Sequence, residues 1–192
     1  MLKYICGDKN MFKQCEILDE KDKRLRIKSK AFDKPVTKEE KKLVEQMITH
    51  LTYSQIEEFE KKYDLRPGMG LAFPQIGINK RLIVIVDEYE KGKFDNYVVV
   101  NPKIISHSEE KIAADAGEGC LSVNREVEGH VPRWARVTIS GLDLDGNQIR
   151  IRAREDLAIA FQHEIDHLDG ILFYDRINKK KPFYNENEIR LI

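Results

Sequence analysis

Apolar residues at helical spacing mark the first regular segment of the chain. They recur every three or four positions and would form one buried stripe: Leu43, Val44, Met47, Ile48 and Leu51. Thr37 and Glu40 precede this stripe at the separation of a capping box, in which each side chain bonds the backbone N–H of the other residue. The pattern predicts an amphipathic helix that begins after Thr37 and a second helical segment at about residues 55–63.

Strand-length runs of apolar and β-branched residues follow these helices. They predict strands at residues 82–86, 97–100, 103–106 and 111–114. Because Pro102 has no backbone N–H to donate, we expect it at a sheet edge or at the start of a strand. Residues 136–142 and 148–153 predict a hairpin that turns at Asp145-Gly146, and residues 171–174 predict a last strand that closes the core.

A third helix is predicted at about residues 156–169. Asp156 can cap its start, and Asp169-Gly170 can end it. Its core-facing residues recur at helical spacing: Ala158, Phe161, Ile165 and Leu168. Together these elements predict a single α+β domain over residues 1–192, in which antiparallel or mixed sheets pack around this helix.

Two histidines on this helix provide the first indication of chemistry. His163 and His167 are four residues apart, so their side chains share one helix face and can bind one metal ion. Glu164 lies beside them and can reach a water on that ion without being a ligand. This HExxH arrangement is typical of metal-dependent hydrolases that use a glutamate as the base.

A third protein ligand is needed, because a catalytic site of this kind has three ligands and one open position. The metzincin pattern HExxHxxGxxH would require a histidine where this chain has Phe173. Glu186 and Glu188 are candidates if the site is built as in thermolysin-like metalloproteases. Cys120 is the other candidate, because its flanking glycines let the backbone approach a metal closely and a thiolate binds zinc or iron well.

Three segments, in this order, resemble the motifs of peptide deformylase. Residues 68–75 read GMGLAFPQ, residues 118–122 read EGCLS and residues 162–167 read QHEIDH, whereas the family motifs are GxGLAAPQ, EGCLS and QHExDH. The resemblance extends from about residue 18 to residue 176 and is strongest to the subgroup common in Gram-positive bacteria and their relatives. Phe73 replaces the second alanine of the first motif, so the sequence leaves the shape of the substrate cleft open.

The resemblance implies a metal-dependent hydrolase that removes the formyl group from the N-terminal formyl-methionine of newly synthesised polypeptides. It implies that Cys120, His163 and His167 bind the metal. Glu164 would act as the general acid and base, taking a proton from the attacking metal-bound water and delivering it to the departing amine.

The same resemblance implies which residues bind the substrate and its transition state. The side-chain amide of Gln75 and the backbone N–H of Leu121 match the family's oxyanion hole. Gly70 and Leu121 are expected to contact an extended peptide through their backbones. Ile159, one helical turn before His163, is expected to line the pocket for the methionine side chain.

The ligand set also limits the metal. A cysteine with two histidines suits several divalent ions. The resemblance implies Fe(II) as the physiological ion, with zinc, nickel or cobalt able to substitute, and an iron–thiolate site would be sensitive to oxygen. Glu118 and Asp166 are candidates to hold the second ring nitrogen of a ligating histidine, or to pair with Arg133.

Composition adds constraints on partners and location. The chain has 33 lysines and arginines and 33 aspartates and glutamates, so its bulk charge gives no reason to expect binding to DNA or any other nucleic acid. The charge runs at residues 21–30 and 179–181 suit a solvated surface, with contact to ribosomal RNA as the alternative. No apolar stretch suits a signal peptide or a membrane span, and the cysteines Cys6, Cys15 and Cys120 lack the spacing of a disulfide framework. We therefore expect a cytoplasmic protein, and we expect it to be a monomer. The resemblance implies that it acts on nascent chains, which places it close to ribosomes.

Other functions remain open at this point. One is an HExxH metalloprotease with Glu186 or Glu188 as the third ligand, which would keep its metal after Cys120→Ala. Another is a hydrolase of a different small acyl-amide, which only Phe73 suggests. A binding protein with a structural metal would lack the base, yet Glu164 and Gln75 are both present.

Overall fold

The computed structural model describes residues 11–185 and 187–192, apart from the side chain of Cys15. Cys6 and Glu186 lie outside the described residues. The helices are α1 (Lys38–Ser54), α2 (Glu57–Tyr63) and α3 (Glu155–Leu168). The strands are β1 (Gly70–Ala72), β2 (Leu82–Glu90), β3 (Lys93–His107), β4 (Lys111–Ala113), β5 (Arg133–Trp134), β6 (Arg136–Leu142), β7 (Gln148–Arg154) and β8 (Arg190–Leu191).

These strands form two sheets. The larger sheet has the order β1-β2-β3-β6-β7, and each neighbouring pair is antiparallel. The smaller sheet has the order β5-β4-β8, in which β4 and β8 run parallel. The predicted α+β class with antiparallel and mixed sheets is therefore confirmed.

α1 starts at the predicted capping box. The hydroxyl of Thr37 accepts a hydrogen bond from the backbone N–H of Glu40, and the Glu40 carboxylate accepts one from the backbone N–H of Thr37. These two bonds satisfy N–H groups that have no partner within the helix. α2 begins at Glu57, two residues later than predicted.

α1 and α3 cover opposite faces of the larger sheet, which explains the uninterrupted apolar run in β2. Successive residues of a strand point to opposite faces. Val84 and Val86 pack in a core cluster with Met47 of α1, whereas Ile83 and Ile85 pack in the cluster that contains α3. A strand that is buried on both faces needs no polar alternation.

α3 lies between the two sheets. Phe161 and Leu168 pack on the larger sheet, and Ile159 packs against Ile112 of β4 in the smaller sheet. The position of this helix decides where its histidines and Glu164 point. Its predicted cap is wrong, because Arg154 occupies the N-cap position and Asp156 lies in the first turn.

Two strand predictions are also wrong. Pro102 lies inside β3, which is an inner strand and unites the two predicted segments 97–100 and 103–106. The pairing register shifts between Val100 and Lys103, so Pro102 sits at an irregularity where no ladder N–H is required. The last strand predicted at residues 171–174 does not form, because Phe173 and Tyr174 belong to the short 3-10 helix Phe173–Arg176, and β8 provides the closing strand.

The helices of the described residues include none with the length and apolar character needed to cross a membrane.

Candidate metal centre

The side chains of Cys120, His163 and His167 meet in the interior of the protein. One possible ligand atom of each residue lies within 4.8 Å of those of the other two. Cys120 Sγ is 3.2 Å from His167 Nε2, and the centroids of the two imidazole rings are 5.0 Å apart. All three residues are buried. One sulfur and two imidazole nitrogens at this separation suit a divalent transition metal.

Two separate parts of the chain build this cluster. α3 carries both histidines on one face, and Cys120 lies in the loop between β4 and β5. Arg66 holds this loop, because its guanidinium donates to the backbone carbonyls of Cys120, at 3.1 Å, and Val123, at 3.0 Å. Gly117 has a φ of 79°, which favours glycine and lets the loop turn before Cys120.

Glu118 orients His163. Its Oε2 accepts a hydrogen bond of 2.8 Å from His163 Nδ1. Burial raises the pKa of Glu118, but hydrogen bonds from Arg133 and His163 outweigh burial and bring this pKa to about 2. Glu118 is therefore a carboxylate at neutral pH. Because it engages Nδ1, the Nε2 atom of His163 is available to a metal.

Asp166 has a different role from Glu118. Its carboxylate accepts hydrogen bonds of 2.5 Å from Arg133 and of 2.5 Å from Arg176. Arg133 also donates to Glu118, at 2.7 and 2.9 Å. Burial lowers the pKa of Arg133, but Glu118 and Asp166 outweigh it and raise this pKa above its ordinary value. Of the two acidic candidates, Glu118 contacts a histidine and Asp166 is an ion-pair partner.

His167 is held less tightly than His163. Its Nδ1 has no hydrogen-bond partner among the described residues. Burial lowers the pKa of His167 well below its ordinary value. A neutral imidazole is the form that binds a metal, so the environment of His167 favours the form that ligation requires.

Glu164 is buried beside the cluster. Its Oε2 atom has no hydrogen-bond partner among the described residues. Burial raises the pKa of Glu164 to about 7, and His163 opposes this rise. A Cβ at position 70 would lie 2.4 Å from Glu164 Oε1, so Gly70 leaves the room that this carboxylate occupies. The close approach is a reason for glycine at this position that sequence reasoning did not identify.

Gln75 is oriented by both ends of its amide. Its Oε1 accepts a hydrogen bond of 2.7 Å from the backbone N–H of Ala72. Its Nε2 donates to Ser122 Oγ at 3.2 Å and lies 3.8 Å from Cys120 Sγ. The donor end of the amide is therefore the end that faces the cysteine.

A cleft of about 360 Å³ opens onto this cluster. That volume lies in the usual range for small-molecule pockets. Its walls contain every residue predicted to act on or bind the substrate: Gly70, Gln75, Leu121, Ile159 and Glu164. Cys120 and His163 also line it. The structure thus brings together the residues that the motifs singled out.

Phe73 does not line this cleft. It is fully buried in the core cluster that contains α1, and its ring centroid is 6.2 Å from that of Phe32. Its extra volume fills the interior between α1 and the larger sheet.

Gln14 is a contact that sequence reasoning missed. Its Nε2 donates a hydrogen bond of 2.9 Å to the backbone carbonyl of Leu121, which lies 107 positions along the chain. No short motif could have indicated a contact at that separation. Glu188, the described one of the two alternative ligands, is exposed, forms an ion pair with Lys181 and does not belong to the cluster.

Comparison with known families gives one clear match. The family model for polypeptide deformylase matches residues 14–183. Peptide deformylase from Oceanobacillus iheyensis is 51% identical over 149 residues, covering 78% of this chain and 81% of the relative. Peptide deformylase 2 from Bacillus subtilis is 48% identical over 168 residues, covering 87% of this chain and 91% of the relative. Both relatives come from Gram-positive bacteria of the Bacillus group, so they confirm the predicted resemblance to the Gram-positive subgroup.

Solved structures are similar over most of the chain. A plant peptide deformylase has a TM-score of 0.72 at 33% identity, covering 92% of this chain and 85% of that one. A peptide deformylase from Legionella pneumophila has a TM-score of 0.68 at 33% identity, covering 85% of this chain and 86% of that one.

Proposed function

The chain belongs to the polypeptide deformylase family and removes the N-terminal formyl group from nascent polypeptides, and we propose the residues that carry out this reaction. Cys120, His163 and His167 hold the divalent metal that the family requires, and Glu164 transfers the proton. The observation that carries this proposal is the buried cluster of one sulfur and two imidazoles within 4.8 Å, which opens onto the same cleft as Glu164.

The metal that we propose is Fe(II), with zinc, nickel or cobalt as substitutes, because a thiolate and two imidazoles suit all four ions. When bound, a divalent ion would polarise the formyl carbonyl and lower the pKa of a water molecule. Glu118 supports the ligand set from outside, since its carboxylate fixes the ring of His163. α3 is, on this proposal, the central metal-binding helix of the fold.

Glu164 is the base in this proposal. Its unpartnered Oε2 accepts a proton from the water whose oxygen attacks the formyl carbon. The same carboxyl then returns the proton to the peptide nitrogen as the C–N bond breaks. The products are formate and a polypeptide with a free amino terminus. Burial keeps bulk water away from Glu164, so the carboxylate can carry the proton from the attacking water to the peptide nitrogen without exchange with solvent.

Gln75 and Leu121 stabilise the developing oxyanion. The Nε2 end of Gln75 faces the cysteine, and the backbone N–H of Leu121 is the second donor. Such donors act on the charge that exists only in the transition state, which is why they accelerate the reaction. Gly70 and Leu121 bind the peptide backbone of the substrate, and Ile159 forms part of the methionine pocket.

The remaining sequence predictions concern the organisation of the protein. We propose that residues 1–192 form one catalytic domain that acts as a monomer in the cytoplasm. A nascent polypeptide is available only near the ribosome that makes it, which supports an enzyme working close to ribosomes.

The decisive experiment measures formate released from formyl-Met-Ala-Ser under anaerobic conditions. The wild-type protein should release formate, and Glu164→Ala with the same metal content should release almost none. Cys120→Ala should lose both metal and activity, whereas a protease with another third ligand would keep its metal. Absence of formate from a fully metallated wild type would overturn the proposal.

A further inference from the structure

Three arginines line the outer side of the edge strand β7. Arg150, Arg152 and Arg154 alternate with Ile149, Ile151 and Ala153, and the arginines are exposed. The intervening residues point the other way, into the core cluster of α3. Alternate residues on a strand are about 6.6 Å apart, so the three guanidinium groups form an evenly spaced row.

Hydroxyl groups lie beside this row on the neighbouring strand. Thr138 of β6 is the pairing partner of Arg152, and Ser140 is the partner of Arg150. Ser140 also pairs with Lys103 of β3, which adds a fourth cation. The core cluster that contains α1 covers the β1, β2 and β3 part of this side of the sheet and extends to Leu142 at the end of β6, whereas Thr138, Ser140 and the three arginines of β7 lie outside it.

The three arginines differ from all others in the described residues. Every other described arginine donates to a carboxylate or to a backbone carbonyl. Arg150, Arg152 and Arg154 make no ion pair or side-chain hydrogen bond within the described part of the chain. Arg154 interacts electrostatically with Glu155, but the carboxylate of Glu155 accepts its hydrogen bond from Arg190.

The row is not explained by stability. Arg154 pairs directly with Arg136 across the two strands, and like charges in that position are destabilising. The chain as a whole has no net charge, so the positive face is local. A concentration of unpaired cations at one sheet edge suits an anionic partner.

We propose that the β6–β7 face binds the sugar–phosphate backbone of RNA. A guanidinium group binds a phosphate through two parallel hydrogen bonds, and threonine or serine hydroxyls add further donors to phosphates and sugars. The described side chains of this row include no aromatic residue, so the contact reads the backbone and not the bases. The described side chains of β7 offer no exposed apolar anchor of the kind that inserts into a membrane, because Ile149 and Ile151 point inward.

The location of this face leaves the cleft free. β7 and β1 are opposite edges of the larger sheet, four strand spacings or about 19 Å apart, and Gly70 of β1 lines the cleft. RNA on β7 would therefore keep the enzyme near the site of protein synthesis while the cleft stays open to a nascent chain. This inference goes beyond the proposed function and does not depend on the metal ligands.

The test is the binding of metal-loaded protein to a short labelled single-stranded RNA, measured by fluorescence anisotropy over a range of salt concentrations. The variant replaces the row: Arg150→Gln, Arg152→Gln and Arg154→Gln. The control removes three exposed cations ahead of and within α1: Lys34→Gln, Lys38→Gln and Lys42→Gln. We expect the arginine variant to weaken binding by at least about tenfold and to reduce the slope of log affinity against log salt by about 2, as for three lost phosphate contacts. The lysine control should bind like the wild type.

Several results would overturn the proposal. The first is that the wild type does not bind RNA, and the second is that both variants lose RNA affinity equally. The third is that phosphatidylserine vesicles or polyglutamate bind as tightly as RNA and depend on the same arginines. If the triple variant fails to fold, the single change Arg152→Glu at an exposed position gives the same comparison. Formate release from formyl-Met-Ala-Ser should be unchanged in the arginine variant, so a failed RNA test and a failed catalytic assignment are distinguished.

Discussion

His163 Nδ1 donates a hydrogen bond of 2.8 Å to Glu118 Oε2. The two residues lie 45 positions apart, and Arg133 donates to both oxygens of the same carboxylate. The bond fixes the ring orientation and the tautomer of His163 and leaves its Nε2 available to a metal.

Glu118→Gln should weaken metal binding by about 10- to 100-fold, because a neutral amide holds the imidazole less strongly than a carboxylate does. Competition with a chelator measures the affinity, and circular dichroism checks the fold. Glu110→Gln is the matched control, since Glu110 pairs with Arg136 and Arg190 at the surface. Equal metal affinity in both variants would contradict the role of Glu118.

Glu164→Gln should stabilise the metal-free protein at alkaline pH. The folded-state pKa of about 7 lies above the ordinary value of 4.5. The contribution of Glu164 to the free energy of unfolding therefore falls as pH rises from 4.5 to 7, and the loss is complete above that range. The glutamine avoids this loss, which is at most about 3 kcal/mol. Urea unfolding at pH 5 and pH 8, with chelator present, should show that Glu164→Gln increases the free energy of unfolding and that this increase is larger at pH 8. The exposed change Glu109→Gln should show none.

Gln75→Glu should lower kcat by about 10²- to 10³-fold at unchanged metal content. The new carboxylate can still accept from the Ala72 N–H, but it has no donor to offer toward the cysteine. Formate release from formyl-Met-Ala-Ser gives the rate. Gln148→Glu, at the exposed start of β7, adds the same charge far from the cleft and should leave kcat within twofold. If kcat fell to a similar extent in both variants, the added negative charge and not the lost donor would explain the effect.

Phe73→Ala should cost about 3–5 kcal/mol of unfolding free energy, because it leaves a cavity in the core beside α1. The KM for formyl-Met-Ala-Ser should remain close to that of the wild type, since the ring does not reach the cleft. Phe183 is 50% exposed, and Phe183→Ala is the control with little effect on stability. A large rise in KM without a loss of unfolding free energy would contradict this assignment and would indicate that Phe73 shapes the cleft.

Local patterns were sufficient for much of the fold. The capping box at Thr37 and the spacing of the apolar residues in α1 depend on neighbours within a few positions. The same holds for the β6–β7 hairpin and for the two histidines on one face of α3. Pro102 was misplaced because a β-bulge is set by the pairing of distant strands, and β8 was missed because a two-residue strand has no periodicity.

The three motifs alone identified the candidate site residues, which are a cysteine, two histidines, a glutamate and a glutamine, because each motif is a short contiguous segment. Contacts between distant segments settle three further points: which acid supports His163, why position 70 is a glycine, and that Phe73 belongs to the core. Glu118 and Asp166 are equally plausible in sequence, yet one reaches the imidazole and the other pairs with Arg133 and Arg176. These outcomes depend on contacts between segments far apart in the chain, which form only when α3 is packed between the two sheets.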